Sequence, residues 1–113
     1  MKYPSDIDKE CVHICDAMNQ VPGIETIESC CGHGERPFHI WFRAENLGCL
    51  PDLLYFFDGC HSGCYHWRIC AATDCGRSPA KFLVEGPIGA QAYEEAVVIA
   101  DYIIADQAKG AGR

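Results

Sequence analysis

Apolar residues recur along this chain with two periods, and the switches between them mark out its elements. Ile7, Cys11, Ile14, Cys15, Met18 and Val21 share one helical face and predict a helix over 6–20. Ser5 is its expected N-cap, with Asp8 three residues on in the manner of a capping box, and Val21-Pro22-Gly23 stops it. The period then becomes two. Residues 25–30 and 38–44 read as strands, the second placing Phe38, Ile40, Phe42 and Ala44 on one face and His39, Trp41 and Arg43 on the other. The glycines and proline of residues 31–37 make a loop between them. Leu50, Leu53, Leu54 and Phe57 predict a helix over 51–57, with Gly59 as a cap beyond its end. Residues 65–72 form the next strand, with Tyr65, Trp67, Ile69 and Ala71 opposed to His66, Arg68 and Cys70. A polar turn over 73–79 leads to a short strand over 81–85, which Gly86-Pro87 breaks. Tyr93, Ala96, Val97, Ala100, Ile103 and Ile104 predict a final helix over 90–107, and 108–113 is a frayed tail.

The order α-β-β-α-β-β-α, with short connections inside each strand pair, predicts an α+β fold. Its mostly antiparallel sheet would be covered by helices on one face. At 113 residues the chain is one domain, 1–113, and 49% hydrophobic with 22% charged residues excludes disorder. No apolar run approaches the ~20 residues of a membrane helix, and the opening residues lack the apolar core of a secretion signal, so the expected location is cytoplasmic. The formal net charge is −7. Residues 1–29 hold two basic and six acidic groups, whereas residues 30–85 hold five and six. Long duplex DNA would be repelled by the acidic segments, while a small anion retains a near-neutral middle containing Arg36, Arg43, Arg68, Arg77 and Lys81.

Nine cysteines in a chain with no secretion signal point to reduced thiols rather than a disulfide framework. Cys11, Cys15 and Cys49 are expected in helices as core residues. That leaves Cys30, Cys31, Cys60, Cys64, Cys70 and Cys75 for core, ligand or nucleophile roles. Three groupings carry chemistry. Ser29-Cys30-Cys31-Gly32-His33-Gly34 gathers a hydroxyl, two thiols and an imidazole at a strand end, where the Gly32 and Gly34 amides could approach an anion. The same segment offers a thiol with a nearby base, Cys31 and His33. His39, Trp41 and Arg43 with His66, Arg68 and Cys70 make either a surface for stacking and phosphate pairing or a seam between subunits. Cys60, Cys64 and His66, with His33, supply the ligand types of a zinc site without a Cys-x-x-Cys pair. Glu94, Glu95, Asp101 and Asp106 read as a solvated helix face.

The run from Pro22 through Ser29-Cys30-Cys31-Gly32-His33-Gly34 and on to Pro37-Phe38-His39-Ile40-Trp41-Phe42 resembles short uncharacterised proteins of bacteriophages and prophages. Phe82 to Gly89 and the helix after it fit the same pattern. The resemblance implies a phage-derived protein acting in the host cytoplasm. More distantly, Ser29, Cys30 and Gly32 are similar to the Ser-Cys-Ser-Gly-Arg motif of the wybutosine-synthesis methyltransferase family, which acts on tRNA. Here Cys31 stands for the second Ser and His33 for the Arg. That resemblance implies an α+β fold with the loop beside the ligand site.

The resulting expectation is a small cytoplasmic binding protein, a monomer or a homo-oligomer, that holds a nucleotide-like ligand or an RNA element on the strand-loop-strand 29–43. Sequestration of a host signalling nucleotide is one form of it. The ligand-binding residues would be Ser29, Cys31, Gly32, His33, Gly34, His39, Trp41, Arg43 and Arg68, with no catalytic residue, no cofactor and no membrane contact. The alternatives are a tRNA- or nucleotide-modifying enzyme using the same loop, and an interaction module stabilised by zinc.

Overall fold

The computed structural model describes residues 8–71 and 80–111. The elements are α1 (Lys9–Met18), β1 (Ile24–Cys30), β2 (Pro37–Ala44), α2 (Leu50–Phe57), α3 (Gly59–Ser62), β3 (Arg68–Ala71), β4 (Ala80–Ile88) and α4 (Ala90–Ala111). Short 3-10 turns occupy Gly32–Gly34 and Leu47–Cys49. The four strands form one antiparallel sheet in the order β1-β2-β4-β3, so the fold is of the α+β class. Ser5, Asp6, Ile7, the turn over 73–79 with Cys75 and Arg77, and residues 112 and 113 lie outside the described residues.

β2 alternates as its sequence predicts. Phe38, Ile40, Phe42 and Ala44 are wholly buried, whereas His39 and Trp41 are half-buried and Arg43 is exposed. Burying an aromatic or branched aliphatic side chain stabilises by about 1.5–3 kcal/mol, so this face governs where the helices go. Cys11, Ile14, Cys15, Ala17 and Met18 of α1, Leu53, Phe56 and Phe57 of α2, and Ala92, Ala96, Ile99, Ala100 and Ile103 of α4 join it in one core. Asn19 pins α1 to the sheet, because its side chain both donates to Thr26 Oγ1 (2.9 Å) and accepts from Thr26 N (2.8 Å).

Several boundaries and faces differ from expectation. Asp8 is itself the N-cap of α1, not a residue of its first turn. α4 buries Ala92 and Ile99 and leaves Val97 exposed, and α2 buries Phe56 in place of Leu54. Both helices carry apolar residues on neighbouring faces, so packing selects which face goes in. β3 begins only at Arg68; Tyr65 and His66 are exposed before it. Trp67 turns into the core, edge-on to Phe38 at 5.4 Å, and donates its indole N–H to Glu95 at 2.9 Å. Glu95 is therefore a partner for a buried indole and not part of a purely solvated face. Gly59 opens α3 rather than capping α2, and a Cβ there would meet the Tyr65 ring.

β4 runs through Gly86-Pro87 to Ile88, where a break was expected. The register passes from Pro37↔Ile88 to His39↔Glu85, leaving Gly86 and Pro87 opposite Phe38. Such a bulge absorbs the N–H that proline lacks. Gly86 is needed for a different reason: a Cβ there would lie 2.7 Å from the Trp67 ring. Gly86→Ala is therefore expected to lower unfolding free energy by about 1–3 kcal/mol, the usual cost of overpacking. Urea denaturation at unchanged m-value measures it, and an unaltered midpoint would show that Trp67 can move aside.

Candidate functional site

β1 ends at Cys30, and the next four residues turn on an unusual backbone. Gly32, His33 and Gly34 have φ of 81°, 54° and 80°, and His33 is the non-glycine among them. Left-handed backbone costs a residue with a Cβ about 1–2 kcal/mol. A Cβ on Gly32 would lie 3.2 Å from the Pro37 carbonyl oxygen, so that position suits glycine sterically as well. The same Pro37 carbonyl accepts from His39 Nδ1 at 3.2 Å, which joins the loop to the start of β2.

The strained turn brings His33 back over the residue two before it. His33 Nδ1 lies 3.7 Å from Cys31 Sγ, and the His33 backbone N–H donates to that same sulfur at 3.4 Å. Asp8 completes the group from the start of α1. Its carboxylate makes no cap bond to its own helix and instead accepts from Cys31 N at 2.9 Å. Oδ2 of Asp8 is 3.9 Å from His33 Nε2. The Cys31 N–H bond holds the Asp8 carboxyl below its ordinary range. Burial pushes the Cys31 thiol up, against the His33 N–H, which draws it down. On α4, the Tyr93 hydroxyl is raised, chiefly by the neighbouring Cys31 thiol.

Thiol, imidazole and carboxylate in this order also describe an activated nucleophile. The environment of Cys31 opposes that use. The sulfur's residue is only 5% exposed and its thiol is raised, not lowered. The imidazole-to-carboxylate distance exceeds hydrogen-bond range.

One of the two loop amides expected to meet an anion is already engaged. Gly32 N donates to Cys30 Sγ at 3.4 Å. Ser29 is in register with Ile40, on the helix side, away from the polar sheet face and near Cys11 and Cys15, whose thiols it draws down. Burial of those thiols raises them to about 12 and about 11.

His39, Trp41, Arg43 and Arg68 lie on the other face of the sheet. Cross-strand register sets Cys30, His39, Glu85 and Arg68 in one row, and Glu28, Trp41, Leu83 and Cys70 in the next. Arg43 stands between Glu25 and Lys81 in a third. Lys81, which the strand pattern did not single out, places Nζ 5.1 Å from the centre of the Trp41 ring. Arg43 pairs loosely with Glu25 at 3.6 Å, and Arg68 tightly with Glu85 at 2.6 Å. β4 thus separates Arg68 from the β2 residues it was grouped with. The expected zinc set is not drawn together among the described residues. Cys64 is buried with its thiol on the Ser62 carbonyl and His66 is exposed, whereas His33 clusters with Asp8 and Cys31; the Cys60 side chain lies outside the description. Asp8 and Tyr93 were missed because no local spacing links them to the loop.

No family model, no curated protein and no solved structure matches the chain.

The geometry separates support from strain within one loop. Asp8→Ala removes the acceptor of the Cys31 amide and is expected to cost about 1–2 kcal/mol of stability. His33→Gly relieves the left-handed backbone and is expected to leave stability unchanged or raise it by up to about 1 kcal/mol. Paired denaturation curves of the two variants check both signs.

Proposed function

We propose that the protein binds a small nucleotide-like ligand, a planar ring bearing phosphate, on the sheet face opposite the helices. The observation that carries this reading is Trp41, half-buried at the middle of β2, with Lys81 over its ring and His39 and Arg43 two residues to either side. A base stacked on the indole takes the place of the Lys81 ammonium, which then meets the phosphate. Stacking of this kind is worth about 1–3 kcal/mol per base. Arg43 is available because an exposed ion pair at 3.6 Å holds it weakly. Arg68 remains with Glu85 and has no part in the contact. The net charge of −7 favours a small ligand over a long polyanion. Among the described residues, no helix is long and apolar enough to cross a membrane.

Trp41 and Trp67 are the two tryptophans of the chain, and only Trp41 lies at the proposed surface. Titration with purine nucleoside mono- and diphosphates is expected to quench the exposed part of the emission. Trp41→Phe should abolish that quench, and Arg43→Ala and Lys81→Ala should each weaken binding roughly tenfold, about 1.4 kcal/mol. Emission unchanged at millimolar nucleotide would remove the reading.

A further inference from the structure

We propose that Asp8, Cys31 and His33 form a binding site for one zinc-class divalent transition metal ion. This site is separate from the Trp41 surface and does not depend on the ligand proposed for it. The three residues offer one carboxylate oxygen, one sulfur and one imidazole nitrogen, all within 4.8 Å of one another. Zinc takes sulfur at about 2.3 Å and nitrogen or oxygen at about 2.0–2.2 Å. At tetrahedral angles those bonds separate the ligand atoms by about 3.3–3.7 Å. The sulfur-to-Nδ1 distance of 3.7 Å already has that length. The other edges lie within 4.8 Å, and the His33 side chain, 70% exposed, has room to turn toward the Asp8 carboxylate.

The surroundings suit a coordinated thiolate. Hydrogen bonds from neighbouring N–H groups favour the charged form of a sulfur. Cys31 receives one from His33 N. Asp8 has given up the capping bond typical of its position and is fixed by the Cys31 amide with its carboxylate beside the sulfur and the imidazole. The donors come from two separate parts of the chain, the start of α1 and the loop after β1, so an ion here would tie these segments together. A mixed S/N/O set matches zinc, or cobalt as its stand-in, better than magnesium or calcium, which prefer oxygen alone. Three protein ligands leave one tetrahedral position for water or a ligand atom, on the side where His33 meets solvent. Binding breaks the Cys31 S–H bond, forms a metal–sulfur bond and releases one proton to the buffer.

The test is a titration of the reduced, chelator-treated full chain with Co2+, followed by competition with Zn2+. The expected result is one equivalent bound with a sulfur-to-cobalt charge-transfer band in the near ultraviolet, and displacement of cobalt by zinc. Cys31→Ser should abolish that band. His33→Ala and Asp8→Asn should each weaken cobalt binding at least tenfold, with circular dichroism confirming that each variant is folded. Cys64→Ala should leave the band in place. Absence of a stoichiometric cobalt complex at micromolar protein would overturn the proposal. So would a band that survives Cys31→Ser or one that disappears with folded Cys64→Ala. Nucleotide quenching of Trp41 is read in the same samples, so failure of one site is distinguishable from failure of the other.

Discussion

Burial of one face of the sheet is the constraint on which the rest of this molecule depends. α1, α2 and α4 all need an apolar surface to cover, and β2 presents one in Phe38, Ile40, Phe42 and Ala44. Side chains alternate along a strand, so committing those four to the core delivers His39, Trp41 and Arg43 to the opposite side. β4 joins β2 in register and brings Glu85, Leu83 and Lys81 to the same side. The polar face is thus a geometric consequence of the core, and its charges largely compensate one another: Arg43 with Glu25, Arg68 with Glu85. A small ligand can exchange with the looser of these exposed pairs, whereas a polyanion would meet the acids as well.

The loop after β1 follows a different logic. Its backbone is held in a costly shape, with His33 left-handed between two glycines. Strain of this kind persists only where surrounding bonds over-determine it. Those bonds are present: Cys30 and Cys31 sulfurs accept loop amides, and the Asp8 carboxylate holds the Cys31 amide. The product is a thiol, an imidazole and a carboxylate in one place. Burial raises this thiol, and coordination to a metal ion would favour its thiolate.

Packing around Trp67 shows how polar and apolar needs are met together. The indole is enclosed by Phe38 and Phe57, its N–H reaches Glu95, and Gly86 makes room for the ring on β4. Removing water from an indole N–H without a partner would cost roughly 1–3 kcal/mol. Glu95 prevents that loss, which is why an acidic residue on the final helix is half-buried. The bulge at Gly86-Pro87 lets β4 continue past a sequence that locally looks like a stop.

The sequence by itself determined the element order, the α+β class and the two faces of β2, because these rest on periods that neighbouring residues display. It also marked Ser29–Gly34 as chemically dense, since glycines flanking His33 are a local signal. Only the tertiary structure decided that β4 enters between β2 and β3, separating Arg68 from Arg43 and putting Lys81 against Trp41. It alone turned Ser29 toward Cys11 and Cys15, engaged the Gly32 and His33 amides with sulfur, and chose Ile99 over Val97 for the core. Above all, it brought Asp8 to Cys31 and His33 across 23 residues of chain. Strand order and helix docking are set by long-range burial, and a bond between residues so far apart in sequence has no period from which it can be read.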